Sequence, residues 1–331
     1  MPTWFWWVVG AVAALFAFAL AFYAAVPWIA RPLFRVLLWP GYDLRVTGRE
    51  HVPRTGPAVL TSNHLSWIDG FFLAALSPRA GKVLVNSAWI NRPFLRPLAI
   101  RAGIIPVPSS GPRGQRAAIQ AAQAALDRGE ALGIFPEAQL SRNGLTGPFY
   151  RGLEVILKGR EHVPVIPVFL ANVWGSRFSF GSRGQGRRYG RRRIGIAFGP
   201  PIAPPLTIFA IRQGVLAVGV RAYEQVDDRR PEPPETVDPS LPTLDHPELG
   251  RLTISTPDIE RAGIRQIGQK PGSVGHPLPG VALRIVDDQG VPLPADTQGR
   301  LQVLLPGRPD WVATGHRGSI DRDGFVKLQG S

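Results

Sequence analysis

The string Thr61-Ser-Asn-His-Leu-Ser-Trp-Ile-Asp-Gly70 sets a histidine and an aspartate five positions apart, His64 and Asp69, directly after an apolar run at 58–62 that reads as a strand. A carboxylate beside an imidazole fixes the ring's tautomer and stabilises the imidazolium. The opposite ring nitrogen can then take a proton from a hydroxyl. On one straight helix the two side chains would stand about 140° apart around the axis and could not meet. With His64 in a strand-to-helix turn and Asp69 in the first helical turn, they can. In this scheme the nucleophile is a hydroxyl of the substrate. Ser66 is the alternative, as a protein nucleophile, but no elbow motif surrounds it. Taken alone, His64 is more readily a loop histidine with satisfied hydrogen bonds, so the pair needs support from the rest of the chain.

The elements that would position such a pair are legible as short apolar runs alternating with helical stretches. Strands are expected at 58–62, 82–85, 104–107, 132–135, 163–169 and 194–198. The clearest helix is 115–128, rich in Ala and Gln and stopped by Gly129, and 206–226 reads as a closing helix. This alternation predicts an α/β domain with a largely parallel sheet flanked by helices, whose sites lie at the carboxyl ends of the strands. From Asp227 to about residue 252 the chain is Pro-rich and acidic and reads as a linker. Residues 253–331 are dense in turn dipeptides between strand-like runs at 281–286 and 300–305, which predicts a small β-rich C-terminal segment.

The N-terminus carries no charged residue from Trp4 to Ala30. As one helix, residues 4–28 would reach roughly 37 Å, enough to cross a hydrocarbon core of about 30 Å. Trp4, Trp6 and Trp7 stand at one end of the run and Tyr23 and Trp28 at the other, as an interfacial belt would place them. A cleaved signal peptide usually has a basic start and a shorter core, so the run is expected to be a transmembrane anchor. Arg31, Arg35 and Arg45 follow the run and no basic residue precedes it. The bulk of the chain is therefore expected on the cytoplasmic side of the inner or plasma membrane. The apolar stretch 32–39 is expected as a second, interfacial helix, which completes an anchor unit over 1–42. With 38 Lys and Arg against 24 Asp and Glu, the formal net charge is +14, which favours an acidic partner such as an anionic membrane or nucleic acid. The absence of cysteine excludes disulfides, thiolate metal sites and a cysteine nucleophile.

Four blocks in this order resemble the glycerophosphate and lysophospholipid acyltransferases. Asn63-His-Leu-Ser-Trp-Ile-Asp69 is similar to the family's NH-x-S-x-x-D signature, and Phe135-Pro-Glu-Ala-Gln-Leu-Ser-Arg-Asn-Gly144 to its F-P-E-G block at the family's spacing. Val163-Pro-Val-Ile-Pro-Val168 is similar to a late strand around a proline, and Ala102-Gly-Ile-Ile-Pro-Val107 to a further block. The resemblance covers about 44–226, so an acyltransferase domain is expected over 43–226. It implies that His64 is the general base and Asp69 its orienter, with Asn63 and Ser66 in the same substrate-binding turn. Glu137 would orient the polar acceptor and Arg142 hold its phosphate, a task for which Arg151 competes. The block at Val107 lacks the family's Asp-Arg end, and Arg113 or Arg116 would substitute. The Gly usual after the glutamate is Ala138, and the Arg common three positions after it is Leu140. The strings FPEAQLSRNG, FYRGLE and VWGSRFSF look like the subgroup fused to acyl-acyl-carrier-protein synthetases, which acts on lysophospholipids such as 2-acyl-glycerophosphoethanolamine.

The resemblance thus implies acyl transfer from acyl-ACP or acyl-CoA, as co-substrate, to a lysophospholipid hydroxyl, with no metal or prosthetic group. The enzymatic alternative is 1-acylglycerol-3-phosphate as acceptor. The alternative of another class is a degenerate, membrane-tethered module that binds lipid or carrier protein without turnover. In the basic run Ser182 to Arg193, Arg187, Arg188, Arg191, Arg192 and Arg193 suit an anionic lipid surface, at about 1 kcal/mol each. An acyl carrier protein is the second reading, and nucleic acid is not expected. Gly268-Gln-Lys-Pro-Gly-Ser-Val-Gly-His-Pro-Leu-Pro-Gly-Val281 and Thr314-Gly-His-Arg-Gly-Ser-Ile-Asp-Arg-Asp-Gly-Phe325 resemble a partial slice of adenylate-forming enzymes. That slice fits a synthetase partner, but His316 replaces the Asp that binds ribose hydroxyls. An imidazole cannot offer a carboxylate's pair of acceptors, so a remnant or docking module without adenylation is expected.

Overall fold

The computed structural model describes residues 2–181, 191–226 and 238–329. Helix α1 (Thr3–Leu38) is followed by β1 (Tyr42–Thr47), β2 (Ala58–Ser62), α2 (Asp69–Leu76), β3 (Gly81–Asn86), α3 (Leu95–Arg101), β4 (Ile104–Val107) and α4 (Pro112–Asp127). Then come β5 (Ala131–Ile134), α5 (Gly152–Leu157), β6 (Val165–Ala171), β7 (Arg192–Phe198) and α6 (Ile208–Glu224). Strands β1 to β7 form one sheet in the order β1-β7-β6-β2-β5-β3-β4, in which every pairing is parallel except β6 with β7. The fold is the expected α/β class.

The central strands β2, β5 and β6 are buried at every position, as strands covered on both faces must be. One face packs on α4, α5 and α6 through Ala122, Leu126, Ile156, Ile211 and Val215. The other packs on α2 and the end of α1 through Phe72, Leu73, Leu76 and Leu38. Strand β1 escapes the sequence reading because Asp43 and Arg45 break its apolar run. It is an edge strand, and its register against β7 pairs Leu44 with Ile194 and Val46 with Ile196.

Helix α1 has the length and apolar composition to cross a membrane. It does not end before Pro32. The stretch expected as a separate interfacial helix continues α1 to Leu38, with Pro27 and Pro32 inside it. A proline inside a helix forfeits a backbone hydrogen bond, and docking against α2 offsets that loss. Arg31 Nε donates to the Ala74 carbonyl at 3.1 Å and Arg35 Nε to that of Ala75 at 2.6 Å. Two guanidinium groups thereby satisfy carbonyls in the last turn of α2, where the helix dipole is negative.

The C-terminal part contains β8 (Asp245–His246), β9 (Gly250–Arg251), β10 (Thr253–Ile254), β11 (Ile259–Arg261), β12 (Ile264–Gln266), β13 (His276–Pro277), β14 (Ala282–Val286), β15 (Gly299–Leu304), β16 (Val312–Ile320) and β17 (Val326–Leu328). Strands β14 to β17 form an antiparallel sheet. Residues 227–237 lie outside the described residues. The stretch 238–252, read from sequence as linker, instead belongs to this unit: Leu244, Leu249 and Leu252 are buried with Leu283, Ile285 and Val303 in its core. Prolines masked that assignment, because the local hydrophobic signal comes only from widely spaced leucines.

Candidate functional site

Strand β2 ends at Ser62, and the turn 63–68 carries the chain to α2, whose first residue is Asp69. Asn63 anchors the turn to the sheet: its side-chain amide donates to the Leu170 carbonyl at 3.1 Å, and its oxygen accepts the Leu170 N–H at 2.8 Å. His64 Nδ1 lies 3.0 Å from Asp69 Oδ2. The buried carboxylate also accepts the backbone N–H groups of Leu65 at 2.6 Å and Ser66 at 2.8 Å, while Oδ1 accepts the Ser66 hydroxyl. Asp69 is thus locked by its own turn. The His64 ring stacks on Phe135 at 4.3 Å between centroids, and its side chain is 21% exposed against 0% for Asp69. The ring nitrogen that Asp69 leaves unengaged, Nε2, belongs to a group that solvent can reach.

Glu137 is fully enclosed. Its Oε1 accepts the His64 N–H at 2.8 Å and its Oε2 the Gly147 N–H at 2.8 Å. Burial pushes the carboxyl up to about 8, against the opposite pull of those two N–H donors and of Arg212. Both oxygens are committed to the protein backbone, so Glu137 sets the position of His64 rather than facing an acceptor. Ser141 adds a second grip, its N–H donating to the His64 carbonyl at 2.9 Å. The residue after the glutamate, Ala138, has φ 51°, the left-handed conformation that the family's glycine would adopt without strain.

Several expected site residues are placed elsewhere by the structure. Arg142 is 4% exposed and turned into the C-terminal unit, with Nε on the Arg261 carbonyl at 3.3 Å and its guanidinium 4.4 Å from the Phe180 ring. Its cation is committed to packing and does not await a phosphate. Ser66 is buried on Asp69, which excludes it as a nucleophile and makes it a support for the carboxylate. Asn63 holds β6 rather than a ligand. Arg151 is exposed and paired with Glu154, and Arg113 stands on the exposed first turn of α4. Of the basic run, Arg187 and Arg188 lie outside the described residues. Arg191 donates to the Tyr42 carbonyl and sits 5.0 Å from the Trp39 ring at the end of α1. Arg192 turns inward to the Asn172 carbonyl at 2.6 Å, and Arg193 meets Asp43 at 3.2 Å. Arg192 therefore ties the start of β7 to the loop after β6 and is not a surface contact.

Phe135, Ser141, Gly147 and Arg212 were missed as site residues. Phe135 opens the F-P-E-G-like block, but nothing in that pattern shows that its ring stacks on His64; the other three act through backbone groups or from a distant helix, which leaves no local pattern. Among the described residues no group of three or more His, Asp or Glu side chains is arranged to hold a metal ion.

An imidazole–carboxylate pair at the carboxyl end of a parallel strand, with a partly open ring, has the groups that base-assisted transfer to a hydroxyl requires. The comparisons agree in class. Residues 43–171 match the Acyltransferase family model, a span that encloses the His64 turn and the Glu137 loop. Over 144 residues the chain is 27% identical to a chloroplastic 1-acyl-sn-glycerol-3-phosphate acyltransferase of Brassica napus, covering 43% of this chain and 41% of that protein. It is 28% identical over 144 residues to a 1-acyl-sn-glycerol-3-phosphate acyltransferase of Borreliella burgdorferi, covering 43% of this chain and 57% of that protein. The chain thus spans about two-fifths of the length of the plant relative. A solved 1-acyl-sn-glycerophosphate acyltransferase of Thermotoga maritima aligns with TM-score 0.47 at 20% identity, over 63% of this chain and 81% of that one.

Proposed function

We propose that the protein is a membrane-bound O-acyltransferase that moves a fatty acyl group from acyl-CoA or acyl-ACP to the free hydroxyl of a lysophospholipid. The observation that carries this reading is the 3.0 Å contact of His64 Nδ1 with the locked Asp69 carboxylate, in a side chain that stays partly exposed. Nε2 takes the acceptor's hydroxyl proton as its oxygen attacks the thioester carbonyl. Asp69 stabilises the imidazolium that results. When the tetrahedral intermediate collapses, the C–S bond breaks and the proton passes from His64 to the leaving thiolate. The products are a diacyl lipid and a free thiol.

The acceptor that the relatives' names indicate is 1-acylglycerol-3-phosphate. The case for a zwitterionic lysolipid such as 2-acyl-glycerophosphoethanolamine rests on the sequence resemblance to the synthetase-fused subgroup. A panel decides between them: membranes containing the chain receive labelled acyl-CoA or acyl-ACP with 1-acylglycerol-3-phosphate, lysophosphatidylethanolamine or lysophosphatidylcholine. Preferred labelling of phosphatidate supports the first acceptor, and preferred labelling of phosphatidylethanolamine the second. Absence of labelled diacyl lipid with every acceptor contradicts the reading and favours a module that binds without turnover.

A further inference from the structure

The C-terminal unit carries no role in the chemistry just described, yet it encloses the loop that grips His64. That loop, 137–147, holds His64 by its N–H through Glu137 and by its carbonyl through Ser141. The C-terminal unit in turn holds the loop. Gln266, itself buried, accepts the Arg142 N–H on its side-chain oxygen at 2.6 Å and donates its amide to Asn143 Oδ1 at 2.7 Å. Asn143 Nδ2 donates to Thr256 Oγ1 at 3.1 Å.

A second connection runs through Arg212 on α6, 1% exposed and among the largest fully buried side chains. Its Nε donates to the Gly147 carbonyl at 3.0 Å and its Nη2 to that of Thr146 at 2.9 Å. Nη2 also lies 3.5 Å from His276 Nδ1 of the C-terminal unit. Burial, with Arg212 and Lys270 nearby, holds the His276 pKa well below its ordinary value, so the ring is neutral and Nδ1 can accept. Gly324 has φ 93° and lies against the guanidinium so closely that a Cβ there would collide with it. The loop end fixed by Arg212 is the one whose Gly147 N–H sets Glu137.

We propose that residues 238–329 act as a clamp that sets the position of His64, with Gln266 and Arg212 as positioning residues for acyl transfer. The proposal rests on the function assigned above to His64. Both ends of the Gln266 amide are used by the loop, and no carboxylate can replace it, because an ionised glutamate cannot donate to Asn143. A displacement of about 1 Å at a general base is enough to cost up to about a hundredfold in rate.

The test uses the full chain in vesicles, with the acyl donor and lysophospholipid that the wild type turns over. Gln266→Ala and Gln266→Glu are expected to lower kcat about tenfold or more while KM for both substrates stays within about twofold. Arg212→Lys, which keeps a cationic donor, retains more kcat than Arg212→Met. Leu301→Ala, in the core of the C-terminal unit and away from the loop, loses a comparable amount of thermal stability and keeps the wild-type kcat. Wild-type kcat in Gln266→Ala, or a parallel loss in Leu301→Ala, overturns the clamp alone. A wild type that acylates no lysophospholipid overturns the parent reading and the clamp with it.

Discussion

His64 is held at four points: Nδ1 by Asp69, the N–H by Glu137, the carbonyl by Ser141 and the ring face by Phe135. The His-x4-Asp pair and the Glu137 block could be picked out in sequence because their residue types are unusual at that spacing. What Glu137 does there could not be read, since a carboxylate that binds backbone N–H groups has the same sequence signature as one that binds substrate. Two predictions belong at this scale. Ala138→Gly relieves a left-handed alanine and should raise stability by about 0.5–1 kcal/mol, read as a higher thermal midpoint. Burial pushes the Glu137 carboxyl up to about 8 in the folded chain, above its ordinary value of 4.5. Between those values the folded chain holds a proton that the unfolded chain has lost, so stability is full at low pH and falls as pH rises through about 8. The loss should be on the order of a few kcal/mol, visible as a falling unfolding midpoint between about pH 5 and 8.5. In Glu137→Gln that slope disappears, and the variant is less stable at pH 5, because its NH2 group meets one of the two N–H donors.

At the scale of elements, six of the seven strands of the main sheet and both long helices after the anchor were legible, since buried β-branched runs and an Ala-rich amphipathic stretch leave strong local patterns. The failures share one physical cause, which is that tertiary contacts overrode local signals. Strand β1 is an edge strand interrupted by charge, α1 runs through Pro32, and 238–252 folds on scattered leucines. Arg142 is the clearest case within the site: beside a glutamate block it reads as a phosphate ligand, but its guanidinium goes to the Arg261 carbonyl and its backbone N–H to Gln266, both over a hundred positions away in sequence. The continuity of α1 can be tested through its arginines. Arg35→Ala leaves the Ala75 carbonyl without its 2.6 Å donor, and together with Arg31→Ala it should cost about 1–3 kcal/mol per carbonyl left dry. Thermal unfolding in detergent measures that cost, and an unchanged midpoint for the double variant would show that α1 does not dock on α2 as described.

At the scale of the molecule, an apolar helix and an α/β domain are tied through α2, the helix that Asp69 begins. The helix that carries Asp69 at its first residue is thus the one on which the last part of the candidate span docks. An apolar span holds by hydrophobic burial, which salt does not screen. The chain should therefore remain in the membrane fraction through a wash at about 1 M salt and leave it only with detergent. Release by salt alone would mean that charge, and not α1, holds it there. The central claim is that His64 performs base-assisted acyl transfer. Its most direct measurement is the initial rate of diacyl-lipid formation in membranes carrying equal amounts of wild-type chain or His64→Ala, with one acyl donor and the preferred lysophospholipid. The account predicts a fall of at least about a hundredfold, with the thermal midpoint preserved. Equal rates from the two chains would contradict it.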